Sequence, residues 1–548
     1  MEDSAHSTRT PMKPFGESIR SPFASVREMW RSAIEAAPDS PFIHSFERTL
    51  TFAEVDERAD RLAAALHRSG IGPDDRVAVY AQNDPLFVIG LLATWRLGGI
   101  VVPVNPMNTA RELRYHLADS EARALITIPG LYDTVARDAL DGSAVQVTVV
   151  GEHQRWVQEN SAIRIETVPV PTELPAGVIT AEAAYSSPGE LPAEPGSGAA
   201  DTAVLTYTSG TTGRPKGAMN THGNLVFNAE SYIEITGLQT GQPILGIAPL
   251  FHITGMVGHI MLAVRAHCPI VLSHRFNAEV MLETIRRRKP VLAVGAITAL
   301  MALADSPARR DGDFDSLESV FSGGAPIAPA LGDRLERVLG AYVHNVYGMS
   351  ETASPTHAVP RGERAPVDPA SGALSIGKPI YNTTCRVVAE TGEDCRPGEY
   401  GEILSRGPQI TPGYWHNPEA TAQAFVDGFL RTGDVGFVDE QGWYYLVDRK
   451  KDMINASGYK VWPREVEDVL YSHPAVSEAA VVGVADAYRG ETVKAFVTLK
   501  TGAQATEDEL RDYCKANRAA YKYPRQIEVL DELPKTATGK ILRRVLRD

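Results

Sequence analysis

The chain is poor in the features that would tie it to nucleic acid, a metal cluster or an oxidising compartment. Four of its 548 residues are cysteine (Cys268, Cys385, Cys395 and Cys514), and no two stand in a CxxC pair. That spacing excludes a zinc-ribbon or dithiol redox motif and a disulfide framework, and favours a reducing, cytoplasmic setting. Basic residues are outnumbered, 54 Lys plus Arg against 68 Asp plus Glu, for a formal net charge of −14. Such a chain lacks the general cationic surface that nucleic acid or an anionic membrane requires, although one basic cleft is compatible with it. The opening residues, MEDSAHSTRTPMKPFGESIR, have no apolar core, so residues 1–20 read as a mobile tail and not as a secretory signal. Residues 241–264, GQPILGIAPLFHITGMVGHIMLAV, carry no Asp, Glu, Lys or Arg over a length that could cross a bilayer. Pro249, His252, His259 and several glycines interrupt that stretch, and polar groups in hydrocarbon are costly. A buried strand, turn and helix is expected there, and no membrane span.

What is present is a chain long enough for about three or four structural units. It is 43% hydrophobic and 22% charged, as soluble globular proteins are. In TFAEVDERADRLAAALHRSG (51–70), Thr51 and Glu54 have the spacing of a capping box, Phe52, Val55, Ala59, Leu62 and Leu66 share one helical face, and Gly70 ends it. RVAVYA (76–81) follows as a strand, residues 85–99 as a helix and IVVPVNP (100–106) as a strand. This alternation predicts an α/β fold: a large N-terminal domain of parallel-rich sheets with packed helices. The Pro-, Gly-, Ser- and Ala-rich stretch 172–200 has no period and reads as a surface loop. From about 450 the texture changes to a helix (465–473), two strands (478–486 and 492–500) and a further helix capped by Thr506 and Glu509. These residues predict a small mobile C-terminal α+β domain over 450–548, after a domain at 21–449. The charged join DRKKDMI (448–454) reads as an exposed linker.

The stretch 205–225, LTYTSGTTGRPKGAMNTHGNL, is dense in Ser, Thr and Gly around one lysine. Gly210, Gly213 and Gly217 let backbone N–H groups approach an anion, Thr208, Ser209, Thr211 and Thr212 add hydroxyls, and Lys216 adds a mobile charge. A flexible surface turn would use the same residue types. A Walker A loop would not, because Pro215 precedes Lys216 and Gly217 follows it.

The string TSGTTGRPKG resembles the signature of the adenylate-forming superfamily, which includes fatty acyl-CoA synthetases, 4-coumarate–CoA ligases and firefly luciferase. Six further motifs follow in the family's order: SGGAPI (322–327), YGMSE (347–351), TGD (432–434), DRKKDMI (448–454), SGYKVWPREVE (457–467) and PKTATGKILRR (534–544). The likeness covers the chain beyond its N-terminal tail. It implies an AMP-forming ligase using ATP, Mg2+ and CoA. A carboxylate attacks the α-phosphorus of ATP, giving an acyl-adenylate and pyrophosphate, and a thiol then displaces AMP. The first step gathers negative charge at phosphorus and needs cations and aligned donors more than a protein nucleophile.

By resemblance, Thr208, Ser209, Gly210, Thr211, Thr212, Gly213 and Lys216 hold the β- and γ-phosphates, and Thr208 and Glu351 hold Mg2+, a hard ion suited to oxygen ligands. Tyr347 stacks on adenine beside Gly348 and Ser350, while Gly323, Gly324 and Ala325 let backbone approach the base. Asp434 accepts from both ribose hydroxyls, with Arg449 as a second ribose or phosphate contact. Lys451 takes the hinge position about which the small domain turns between half-reactions. Lys540 takes the position of the lysine that bridges carboxylate and α-phosphate, which leaves Lys216 a supporting role. Gly458 and Lys460 fall at the CoA channel, and there any side chain at Gly458 would block the thiol.

His252 matches a gate beside the carboxylate pocket, and Thr254, Ala296 and Ile297 fall on its walls. Ile297 stands where many relatives have proline, which puts acid length in question. Neither Val294–Thr298 nor Gly323–Pro326 contains Arg or Lys to meet a second carboxylate, so a largely apolar monocarboxylic acid is expected. The string SGYKVWPREVEDVLY (457–471) is most similar to bacterial medium- or long-chain acyl-CoA synthetases, which implies an acid of that length. Asn455, where several aryl-acid ligases have lysine, leans the same way. An aryl-acid–CoA ligase, transfer to a carrier protein or an amine, and a homodimer stay open. A non-enzymatic nucleotide-binding scaffold is disfavoured because Glu351, Asp434 and Lys540 are all present.

Overall fold

Thr51 and Glu54 close the capping box that their spacing predicts. Glu54 N–H donates to Thr51 Oγ1 (3.2 Å) and Thr51 N–H to Glu54 Oε2 (2.9 Å), starting a helix over Phe52–Arg68 whose apolar face is buried. The computed structural model describes residues 15, 18–151, 174–187, 189–193, 195–208, 214–449, 452–456, 459–486, 490–517, 522–536 and 541–547. Most of the expected tail over 1–20 lies outside the described residues.

Among the described residues the large domain is built on three sheets. The first runs in the order Val178–Thr180, Val147–Val150, Ala122–Thr127, Arg76–Tyr80, Ile100–Pro103, Thr202–Thr208, Lys216–Thr221. It is parallel up to its last pair, the antiparallel hairpin that carries the Ser/Thr/Gly loop. In the second, Val343–Met349, Ser319–Ser322, Leu292–Gly295, Ile244–Leu245, Ile270–Leu272 and Pro41–Ser45 run parallel, with antiparallel strands at both edges. Parallel strands are covered on both faces, which is why they read as continuous Val, Ile and Ala runs. The third, Thr384–Val388 to Tyr444–Arg449, is antiparallel. The smaller C-terminal domain packs the helices Pro463–Ser472 and Glu507–Asn517 on a sheet dominated by the pair Val476–Asp486 and Gly490–Leu499.

The uncharged stretch 241–264 forms the strand Ile244–Leu245, a short helical turn at Ile253–Gly255 and a buried π-helical segment, Met256–Met261. Among the described residues no helix is long and apolar enough to cross a membrane.

Two expectations are corrected. The stretch 172–200 is not wholly irregular, because it holds the strand Val178–Thr180 and the helix Ala181–Ser186. Thr180 Oγ1 caps that helix by accepting from Ala183 N–H (2.9 Å), and Ala181 and Ala184 are buried. Elements this short fall below the roughly 11-residue window in which periodicity shows. The join 448–454 is not an exposed linker where it is described. Asp448 and Asp452 are buried and meet Arg543 (3.2 and 3.7 Å), and Asp452 also meets Arg547 (2.8 Å). Charge in sequence signals solvent only when no opposite charge arrives from elsewhere in the chain, and here it arrives from near residue 545.

Candidate active site

In open α/β sheets ligands bind beyond the carboxyl ends of parallel strands. The expected residues gather at such ends. Strand Leu292–Gly295 leads into Ala296, strand Ser319–Ser322 into Gly323, and strand Val343–Met349 into the turn that holds Glu351. Gly295 pairs with Ser322, and Ser322 with Asn345, so these ends lie side by side.

Thr208 ends its strand opposite Lys216, and both are half-buried. Ser209, Gly210, Thr211, Thr212 and Gly213 lie outside the described residues. The loop's base is anchored from the helix Ala110–Asp119: Tyr207 OH donates to Asp119 Oδ2 (2.7 Å), and Tyr115 OH to the Pro215 carbonyl (2.7 Å). Burial, and then Asp119, push both phenols up, so both remain donors.

Glu351 is only 5% exposed. Tyr414 OH donates to its Oε1 at 2.8 Å, and the Lys216 ammonium lies 5.3 Å from the centre of the Tyr414 ring, within cation–π reach. Burial, followed by the Glu351 carboxylate, pushes the Tyr414 phenol up. The site thus joins the loop lysine to the expected metal carboxylate through a tyrosine that sequence reasoning missed. PGYW gives no spacing cue to a glutamate 63 residues away. The Tyr414 segment is fixed by backbone bonds, Met219 N–H to the Gly413 carbonyl and Trp415 N–H to the Gly217 carbonyl.

Tyr347 and Asp434, separated by 87 residues, meet directly, Tyr347 OH donating to Asp434 Oδ2 at 2.7 Å. The Tyr347 ring also packs edge-on against His357, whose imidazole burial pushes down to about 3, leaving it neutral. A Cβ on Gly348 would fall on the Ser354 carbonyl oxygen, and one on Gly323 would lie 2.7 Å from the Val346 carbonyl oxygen. Gly324 is exposed with φ +84°. Ala325 and Ser350 are half-buried, and the Ser350 carbonyl accepts from Asn220. Asp434 pairs in strand register with Arg449, whose side chain lies outside the described residues, as do Lys451, Gly458, the Lys460 side chain and Lys540.

On the acid side, His252 caps the turn Ile253–Gly255, its Nδ1 accepting from Thr254 N–H (3.3 Å). Ala296 and Ile297 begin the helix Ile297–Ala304, where Ile297 takes the first helical position that proline often favours. A Cβ on Gly258 would touch both the Tyr232 ring (3.3 Å) and Val294 (3.5 Å), so these three pack closely together. Ser322, fully buried at the end of its strand, has no hydrogen-bond partner for its Oγ among the described residues.

Magnesium keeps several waters and binds one or two carboxylates plus phosphates. The all-oxygen pair of the Glu351 carboxylate and the Thr208 hydroxyl fits that chemistry. Among the described residues no group of three His, Cys, Asp or Glu forms a self-sufficient metal site.

Residues 30–415 match the AMP-binding enzyme family, and residues 465–540 match the AMP-binding enzyme C-terminal domain. The chain is 38% identical over 519 residues to the long-chain-fatty-acid–CoA ligase of Bacillus subtilis (strain 168), covering 93% of this chain and 91% of that one. It is 36% identical over 512 residues to a feruloyl-CoA synthase of Amycolatopsis sp, covering 93% and 96%. A solved anthranilate CoA ligase in complex with anthranoyl-AMP matches with a TM-score of 0.86 at 28% identity, over 96% of this chain and 97% of that one.

Proposed function

Because this chain belongs to the AMP-binding enzyme family and is an AMP-forming acyl-CoA ligase, we propose that its acid is a largely apolar monocarboxylate of medium or long chain. The observation that carries this is that Val294–Thr298, packed through Val294 near Gly258 and Tyr232, contains no Lys or Arg to meet a second carboxylate. The fatty-acid ligase among its relatives supports the same choice. The feruloyl-CoA synthase favours a second reading, an aryl acid in the same pocket.

The reaction divides between residues as follows. The loop from Thr208 to Gly213, with Lys216, holds the terminal phosphates of ATP. Tyr347 lies against adenine, and Asp434, with Arg449, receives the ribose hydroxyls. Glu351 and Thr208 hold magnesium, which neutralises charge on the phosphates when bound. His252 borders the acid carboxylate, whose oxygen attacks the α-phosphorus as pyrophosphate leaves. Lys540 supplies positive charge to that step. The small domain, which we place after residue 449 with Lys451 at its hinge, then turns and presents Gly458 and Lys460 to CoA. The CoA thiol attacks the acyl carbon and AMP departs.

The test is a set of initial rates with octanoate, laurate, palmitate, ferulate, benzoate and succinate, at fixed ATP and CoA. We expect kcat/KM to rise along the fatty acids and succinate to be inert. Preference for ferulate or benzoate over all three fatty acids would replace the first reading with the second.

A further inference from the structure

The helix His222–Thr236 turns a row of polar side chains toward the Glu351 motif. Asn224, Asn228 and Tyr232 stand at four-residue intervals, the spacing that stacks side chains on one helical face, and Asn220 precedes them on the strand Lys216–Thr221. All four are buried, and a buried amide is costly unless it is hydrogen-bonded.

Their bonds converge on one turn and its neighbour. Asn220 Nδ2 donates to the Ser350 carbonyl (2.9 Å), and Asn228 Nδ2 donates to the carbonyls of Thr352 (3.1 Å) and Ala353 (2.7 Å). Tyr232 OH meets Ser354 Oγ (2.9 Å). Asn224 Nδ2 donates to Pro408 and Ile410, in the segment whose Thr411 N–H donates to the Glu351 carbonyl.

The turn they grip is strained. Ala353 has φ +46° and Ser354 φ +89°, two consecutive non-glycine residues at positive φ. Side chains disfavour that region, and such residues persist where their surroundings dictate them. Thr352 ends the short helical turn Ser350–Thr352 and Ala353 takes the left-handed position that closes it, so their consecutive carbonyls face one amide. Asn228 Oδ1 has no hydrogen-bond partner among the described residues, so the two donated bonds set the orientation of the amide.

We propose that Asn228 is a positioning residue for adenylation: by bridging Thr352 and Ala353 it holds the left-handed reversal that seats the Glu351 carboxylate against Tyr414. This rests on Glu351 being the carboxylate that meets magnesium-ATP.

The test compares wild type with Asn228→Ala, Ala353→Gly, their double variant and Glu351→Gln. Calorimetric binding of ATP is measured at graded magnesium, and binding of AMP without metal serves as a control for the rest of the site. Asn228→Ala is expected to weaken magnesium-ATP binding about tenfold and to raise the magnesium needed for half-maximal turnover, with AMP affinity within about twofold of wild type. Ala353→Gly in that background recovers most of the loss, since glycine enters positive φ without the clamp, and alone it changes little. If Asn228→Ala does not fold, Asn228→Ser, with one donor, should show a smaller shift in the same direction. Wild-type magnesium-ATP affinity in the foldable variant, or equal loss of AMP and ATP binding that glycine does not recover, would overturn the proposal. An impaired Glu351→Gln beside a normal Asn228→Ala removes the positioning role alone. A Glu351→Gln enzyme with unchanged magnesium dependence removes the reading of Glu351 and the role of Asn228 with it.

Discussion

Replacing Lys540 with alanine is expected to slow acyl-adenylate formation by about 100-fold to 1,000-fold or more, the scale on which loss of one donor at a charge-developing centre is felt. Thioester formation from supplied acyl-adenylate should stay near wild type. The asymmetry follows from where charge appears. Carboxylate attack on the α-phosphorus crowds anionic oxygens together, and an ammonium placed between them is worth most in that transition state. In the second step the thiol attacks the acyl carbon and AMP departs as a phosphate anion. The reacting centre is then no longer the α-phosphorus, and a cation placed for that centre contributes less. Lys540 itself lies outside the described residues, but Ile541, next in the chain, pairs with Lys535. Two residues further on, Arg543 is fixed to Glu467 by bonds of 2.6 and 2.8 Å and to Asp448 at 3.2 Å. Acid-dependent exchange of pyrophosphate into ATP measures the first step, and acyl-CoA from synthetic acyl-adenylate the second. Equal loss of both would show that Lys540 matters to folding or to general binding.

Gly458→Trp is expected to give the opposite pattern. Adenylation should fall within about threefold of wild type while transfer to CoA drops about 100-fold, since even about 1 Å of misplacement between reacting groups can cost that much. The argument is steric: an indole in the path of the pantetheine arm holds the thiol away from the acyl carbon. Acyl-adenylate should then accumulate on the enzyme and be detectable after acid quench. Loss of pyrophosphate exchange in this variant would mean that the glycine is required by the fold and not by the thiol.

How much of this could be read in the sequence depended on the range of the interaction. Thr51 with Glu54 and Thr506 with Glu509 are caps closed within one turn, and local spacing is enough to see them. Tyr347 and Asp434 were legible as separate motifs, yet their direct bond joins strands of two different sheets and has no sequence signature. Tyr414 was missed because a tyrosine after Pro and Gly on a loop carries no pattern. The row from Asn224 to Tyr232 was missed for a different reason. Val226, Phe227 and Ala229 around it make the helix read as apolar, and what the amides are for is visible only once the Glu351 turn lies against them. Asp448 and Asp452 were misplaced in solvent because Arg543 and Arg547 reach them from about a hundred residues downstream.

The most direct test of the central claim follows oxygen. A fatty acid labelled with 18O in both carboxylate oxygens is turned over with ATP and CoA, and the products are weighed by mass spectrometry. Attack of the carboxylate on the α-phosphorus places one 18O in AMP and none in pyrophosphate, with the other retained in the acyl-CoA. Unlabelled AMP, or label in pyrophosphate or phosphate, would contradict the account.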